Sequence, residues 1–486
     1  MGSMNLYASL CSYLVSLLCS FLASLTFTFT GATISWTSPA IPKFKSGEAN
    51  LVITDAQTSW VVSLLSVGAL LGCYMGQVLN DKVGRRRTML ISSGPGLLGG
   101  CIILFTKWPE LMYAARFMFG MTTGTVAVPD TLQVAMIYVT EIADKEIRAS
   151  LGMLIQVMNN LGCLLIYGIG PFVSYTALNS IIVTIPIVYG LCCLWIPESP
   201  YYHLKDSRTD EARKVFIYLK GRRDEKWVDD QLAIMRAHVI SSMENKTTAK
   251  ELLTNMRYRK TIYIVVGLKI LQYMTGVLVI QSYLEVIFRQ SVSISGPHVS
   301  IVYGFVQLSA GIGATFLTRW FGRRILLMLS SLGVSLAMTA IGLYFFLQDS
   351  VGVSQEIMSS LSPLPLVGLF VFNIAYSCGV GNLPYVMQAE LFPVNVKAVA
   401  SSLATMLACV LSFLVTKCYQ NLKDMFGHYT VFWSFAVIGY LGILFVYYFV
   451  PETKGKTLEE VQDNMQARPA EEQALRNGEN AVQDVN

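Results

Sequence analysis

Apolar residues in this chain gather into twelve long runs separated by short polar breaks. The runs cover about 11–35, 57–80, 88–106, 111–138, 149–171, 177–196, 261–288, 298–319, 325–347, 364–388, 398–419 and 429–450. Each approaches or exceeds the roughly 20 residues that a helix needs to cross the hydrocarbon of a bilayer. A polar stretch from 197 to 260 divides them six and six, and within it Thr209–Lys220 patterns as an amphipathic helix. The pattern predicts an all-α membrane protein, twelve transmembrane helices in two six-helix halves. The expected organisation is residues 1–196 as the first half, 197–260 as a cytosolic helical linker, 261–450 as the second half and 451–486 as a cytosolic tail.

Two short basic knots stand at matching places in the two halves, Asp81-Lys82-Val83-Gly84-Arg85-Arg86 and Arg319-Trp320-Phe321-Gly322-Arg323-Arg324. Glycines precede each, at Gly68, Gly72 and Gly76 and at Gly304, Gly311 and Gly313. Small residues four apart let helices approach closely in lipid, and a Gly-Arg-Arg turn suits a tight loop on the positive side of a membrane. A device repeated in both halves fits a carrier built from two parallel repeats, with its site near the midplane between them. An enzyme is not indicated, since no nucleophile, general base or metal cluster stands out, and no cofactor or metal is expected.

The 486 residues are 53% hydrophobic and 14% charged, too apolar for a soluble chain of this length. The net charge of +5 sits in loops and reads as topology, not as a nucleic-acid surface. Lys82, Arg85, Arg86 and Arg87 crowd the loop after the second run, and the linker holds 14 Lys and Arg, whereas the opposite loops are poor in them. The positive-inside rule then places both termini and the linker in the cytosol of a multi-pass protein, with the plasma membrane as the expected site. The ten cysteines fall in or beside apolar runs, which argues for small packing residues over a disulfide framework. The first run is expected to be a span and not a removable leader. The sequon at 245–247 falls in the linker, where it should be unused, and the tail after about residue 468 has too few large apolar residues to fold.

Five sequence boxes carry a family resemblance: Asp81-Lys82-Val83-Gly84-Arg85-Arg86; Pro197-Glu198-Ser199-Pro200; Gln272-Tyr273-Met274-Thr275-Gly276; Asn382-Leu383-Pro384-Tyr385 with Glu390-Leu391-Phe392-Pro393; and Pro451-Glu452-Thr453-Lys454-Gly455. With them the chain resembles the sugar porter branch of the major facilitator superfamily over about residues 14–457. The stretch Ser35-Trp36-Thr37-Ser38-Pro39-Ala40-Ile41-Pro42 looks like the insect trehalose and hexose facilitators. The resemblance implies the major facilitator fold and a carrier that moves a sugar by alternating access with no covalent chemistry, the lipid bilayer being its other partner.

Carried over residue by residue, the resemblance implies solute binding by Gln156, Gln272, Tyr273, Gln307 and Tyr385. Gln307 stands where the family usually has Asn, and Tyr273 and Tyr385 replace a second Gln and a Trp. Leu278 and Ala408 take the places of two further Asn, and neither offers a donor or an acceptor. Three readings follow: a sugar site with altered demands, a porter for a non-sugar organic solute, or a sensor that has lost transport. Each Gln also reads as hydrogen-bond glue between helices, and each Tyr as a packing aromatic. Tyr283 and Pro384 match gating positions. Lys269, inside the seventh run, snorkels, pairs with a neighbour or touches the solute.

The resemblance further implies a cytosolic network that locks the outward-open state, formed by Asp81, Arg85, Arg86, Glu141, Arg148 and Glu198 in one half and by Arg323, Arg324, Glu390, Lys397 and Glu452 in the other. Two departures are Arg319, where an acid is usual, and Tyr201, where the box normally has Arg. The first run holds no carboxylate where proton-coupled relatives carry Asp, so downhill facilitation is expected. The spacing from Arg116 to Glu141 is five residues longer than in the family, an excess placed at 129–133. Five residues turn a helix by a net change of about 140°, so one of the two charges is expected to lose its partners unless those residues are absent from the natural transcript.

Overall fold

The computed structural model describes residues 2–49, 51, 53–126, 134–143, 148–220, 225–244, 248–289, 296–456 and 460. Among the described residues all regular structure is helical. The first half runs α1 (Gly2–Ser35), α2 (Thr37–Lys45), α3 (Asp55–Val83), α4 (Arg85–Phe105), α5 (Pro109–Val126), α6 (Val134–Ile142), α7 (Arg148–Ile169) and α8 (Tyr175–Trp195). Between the halves lie α9 (Pro200–Lys205), α10 (Thr209–Lys220), α11 (Glu225–Glu244) and α12 (Ala249–Thr254). The second half runs α13 (Arg259–Met274), α14 (Val277–Arg289), α15 (Gly296–Trp320), α16 (Arg323–Phe346), α17 (Gln355–Leu361), α18 (Pro363–Cys378), α19 (Leu383–Leu391), α20 (Val394–Phe426) and α21 (His428–Phe449).

Ten continuous helical stretches among the described residues are long and apolar enough to cross a membrane. The fourth and fifth predicted spans complete the twelve, as α5 with α6 and as α7, whose Leu154–Ile169 stretch is a shorter apolar helix. Large apolar side chains such as Leu98, Leu191, Leu336 and Leu441 point outward; on a soluble protein they would form an untenable apolar surface, whereas here they face lipid. The described cysteines are free thiols. The sequon, the tail beyond 460, residues 129–133 and the side chains of Arg148 and Arg319 lie outside the described residues.

Small residues fix close helix contacts. A Cβ on Gly68 of α3 would lie 2.0 Å from the carbonyl oxygen of Phe117 on α5, so only glycine allows that approach. In the second half the spacing serves another purpose, because Gly304 and Gly311 on α15 face Leu164 and Asn160 of α7 in the first half. The amphipathic stretch of the linker folds as expected: Ala212, Phe216 and Leu219 are the buried stripe of α10, Ala212 and Phe216 packing with Val228 and Trp227 and Leu219 joining the core of the first half.

The lengthened fourth span does not strand its charges. Arg116, fully buried on α5, donates from Nη1 to the Thr33 carbonyl at 2.7 Å and from Nε to the Val61 carbonyl at 2.9 Å. Glu141 on α6 still meets Arg85 at 2.7 Å. Both charges therefore keep partners, and the expectation that one of them is stranded does not hold.

Candidate functional site

Two seams join the halves, α3 against α20 and α7 against α15, and α14 packs on α2. A cavity lies between the seams, lined from both halves. Gln156, Tyr273, Gln307 and Tyr385 line it, as do Leu278 and Ala408. Gln272 does not. It is buried behind the wall, where Nε2 donates to the Gly381 carbonyl at 2.7 Å and Oε1 accepts from Lys269 at 3.4 Å. Gly381 lies in the short break between α18 and α19, so this amide ties α13 to an interrupted span. The Lys269 ammonium also sits 4.0 Å from the centre of the Tyr385 ring, a cation–π contact, and the Tyr385 and Tyr273 hydroxyls are 3.5 Å apart.

Further polar groups, for which the resemblance implies no role, are concentrated on α7. Asn159 and Asn160 line the cavity beside Gln156. Asn160 accepts from Gln156 at 3.3 Å and from Gln307 at 3.5 Å, and donates across the seam to the Gln307 carbonyl at 3.2 Å. Their signal was present in the sequence: residues three and four positions after Gln156 share its helix face. Thr30, Asn373 and Asn382 add further polar lining. Two amide groups are already engaged locally, Asn373 with the Tyr303 carbonyl and Asn382 with the Ser377 carbonyl.

Contacts between the halves gather at the middle of the seams and at the end remote from the Gly-Arg-Arg turns. Tyr167 donates to the Gln281 carbonyl at 2.8 Å. Lys417 on α20 donates to Ser59 on α3 at 2.8 Å and lies 3.9 Å from the Trp60 ring centre. Tyr283 is buried with its ring 4.8 Å from Tyr419, in a cluster that also takes in Ile41 and Val62 from the first half. Pro384, also buried, opens α19 one residue before Tyr385.

At the opposite end the residues expected to form the lock lie in two separate clusters, one per half. Glu198 accepts the backbone N–H groups of Arg85 at 2.8 Å and Arg86 at 3.1 Å, capping α4. The Arg85 guanidinium pairs with Glu141, which also accepts from the Ser199 hydroxyl. The Arg86 side chain donates to the Cys193 and Leu194 carbonyls, and Asp81 pairs with Lys205 at 2.7 Å. The second half repeats the plan: Glu452 accepts from the N–H groups of Arg323 at 2.9 Å and Arg324 at 3.1 Å, capping α16, and Arg323 faces Glu390 at 3.5 Å. Lys397 lies half-buried one turn into α20. Among the described residues these ion pairs stay within a half, so in this conformation they brace each half without bridging the two.

A Cβ at Gly84 would stand 2.6 Å from the Glu198 carboxylate, and the residue has φ +95°. Both facts reserve the position for glycine.

Two braced helical halves around a shared polar cavity define a membrane carrier. The sequence profile of the family described as "Sugar (and other) transporter" matches residues 14–465, and the chain belongs to that family, one of transporters and not of enzymes. It is similar to a protein named facilitated trehalose transporter Tret1 of Bombyx mori, 31% identical over 437 residues that cover 89% of this chain and 83% of the relative. A protein of the same name in Drosophila willistoni is 28% identical over 442 residues, 90% of this chain but 49% of the relative, so the chain spans about half of that longer protein. The fold matches the inward open conformation of the xylose transporter XylE from E. coli with a TM-score of 0.71 at 19% identity, covering 93% of this chain and 99% of the other. That match gives the major facilitator fold.

Proposed function

We propose that the protein moves a sugar-like solute down its gradient by alternating access, without proton coupling, in the plasma membrane. The observation that carries this reading is the amide and tyrosine lining of the cavity between the halves, with Gln156, Asn160 and Gln307 converging from both sides of one seam. Amides offer paired donors and acceptors that suit hydroxyl groups. The names of the relatives support a sugar, and the described first-span helix has no acidic residue to carry a proton. The basic turns and the linker support a cytosolic placement of both termini by the positive-inside rule. With that orientation the gathered contacts close the outer end, and the conformation is the inward-facing one.

Reconstituted vesicles test the reading. Labelled glucose or trehalose is expected to enter until the two sides are equal, at a rate unchanged by an imposed proton gradient. Accumulation driven by an inward proton gradient would overturn the facilitative mode. Failure of every sugar in a panel to enter, by a protein of native melting behaviour, would overturn the sugar reading.

A further inference from the structure

The cavity wall is not uniform. On the side where α1 and α7 meet α15, Gln156, Asn159, Asn160 and Gln307 present amides. Two polar atoms there have no hydrogen-bond partner among the described residues, Gln307 Oε1 and Thr30 Oγ1, although the residues are only 6% and 4% exposed. Buried polar atoms left unsatisfied are uncommon and call for an explanation, and a hydroxylated ligand supplies one. The wall contributed by α3, α14 and α20 is different. Leu65, Ala69, Leu278 and Ala408 line it, and Ser412 spends its hydroxyl on the Ala408 carbonyl. Ser66 and Gln281 are the other polar residues on that side.

We infer that the solute is itself two-faced: a sugar with hydroxyls along one edge and an apolar substituent or missing hydroxyls along the other, such as a deoxyhexose or a small aryl or alkyl glycoside. This rests on the proposal that the solute is sugar-like and narrows its class. A uniformly hydroxylated ring would satisfy Thr30 and Gln307 but would turn other hydroxyls toward Leu278 and Ala408, which offer neither donor nor acceptor. A ring bearing an apolar group there keeps the first set of bonds and fills the second wall. The discrimination available from seating one small apolar group is about tenfold.

Equilibrium binding of D-glucose, trehalose, 6-deoxy-D-glucose and phenyl β-D-glucoside to the purified carrier tests this, with phenol as the sugar-free control. Phenyl glucoside or deoxyglucose is expected to bind about tenfold more tightly than glucose. Leu278→Asn is expected to erase that advantage by favouring glucose, while melting as the parent does. If sugars bind but glucose and trehalose equal or exceed the two apolar-edged ligands, the two-faced solute is wrong and the sugar reading stands. If no sugar binds, the sugar reading fails. Phenol binding as tightly as its glucoside would show that the polar wall does not read hydroxyls and would overturn the inference. The parent protein's ranking decides the matter even if the variant does not fold.

Discussion

Lys417 lies on one half and Trp60 on the other, with the ammonium 3.9 Å from the ring centre and bonded to the neighbouring Ser59 at 2.8 Å. The pair spans the α3–α20 seam near the closed end of the cavity. Such a contact exists only while that end is shut, so it biases the equilibrium between the two accessible states.

Lys417→Met should therefore loosen the closed end. A cation–π contact at a partly exposed site contributes about 0.5–1 kcal/mol, a twofold to fivefold change in the ratio of states. A cysteine placed at Val62 in this seam should become labelled about twofold to fivefold faster from the remote side. An unchanged rate would mean that the contact is a passive neighbour.

Gln156→Ala and Gln307→Ala should weaken solute binding by about 1–3 kcal/mol, the range for leaving a buried polar partner unsatisfied. Gln272→Ala should behave differently, because its amide holds the Gly381 carbonyl and not the cavity. Its expected signature is a lower melting temperature and slower turnover with nearly unchanged affinity. Calorimetry with vesicle uptake separates the two patterns, and an affinity loss in Gln272→Ala equal to that in Gln156→Ala would count against the assignment.

The capping carboxylates give a stability test. Glu198→Ala removes acceptors from the first N–H groups of α4, a loss of about 1–2 kcal/mol, and Glu452→Ala should do the same for α16. Thermal melts in detergent should show matching decreases for the two, as their equivalent geometry requires.

His203, outside the spans on α9, supplies a pH dependence. Burial holds its imidazole below the ordinary histidine value and outweighs Glu211, 3.1 Å away, which pulls the other way. The fold thus favours the neutral ring. Its contribution is complete above the unfolded value of about 6.5 and is lost as pH falls through the folded value. The gap in melting temperature between pH 7.5 and pH 5.5 should shrink in His203→Asn.

The architecture was largely legible because bilayer thickness imposes a length on every span, and twelve apolar runs satisfied it. The Gly-Arg-Arg turns and the two Pro-Glu boxes were legible as well, and they meet in space as Arg85 with Glu198 and as Arg323 with Glu452. Part of the site was not. Whether Gln272 faces the solute depends on where α13 ends and on the break around Gly381, and neither follows from spacing alone. Asn160 shares the face of Gln156 one turn further on, but its bonds to Gln307 depend on how α7 meets α15, which spacing does not give. The fourth span differed as well: counting rotation per residue stranded a charge, yet Arg116 meets backbone carbonyls and Glu141 meets Arg85.

The two caps also fix an order of assembly. The carboxylate that completes α4 belongs to residue 198, which follows the last span of its half, and Glu452 stands in the same relation to α16. Neither half can seal its third span until its final residues have left the ribosome. Each half therefore carries its own completion signal, and a chain interrupted before Pro197 would hold six spans in the bilayer with the start of α4 still uncapped.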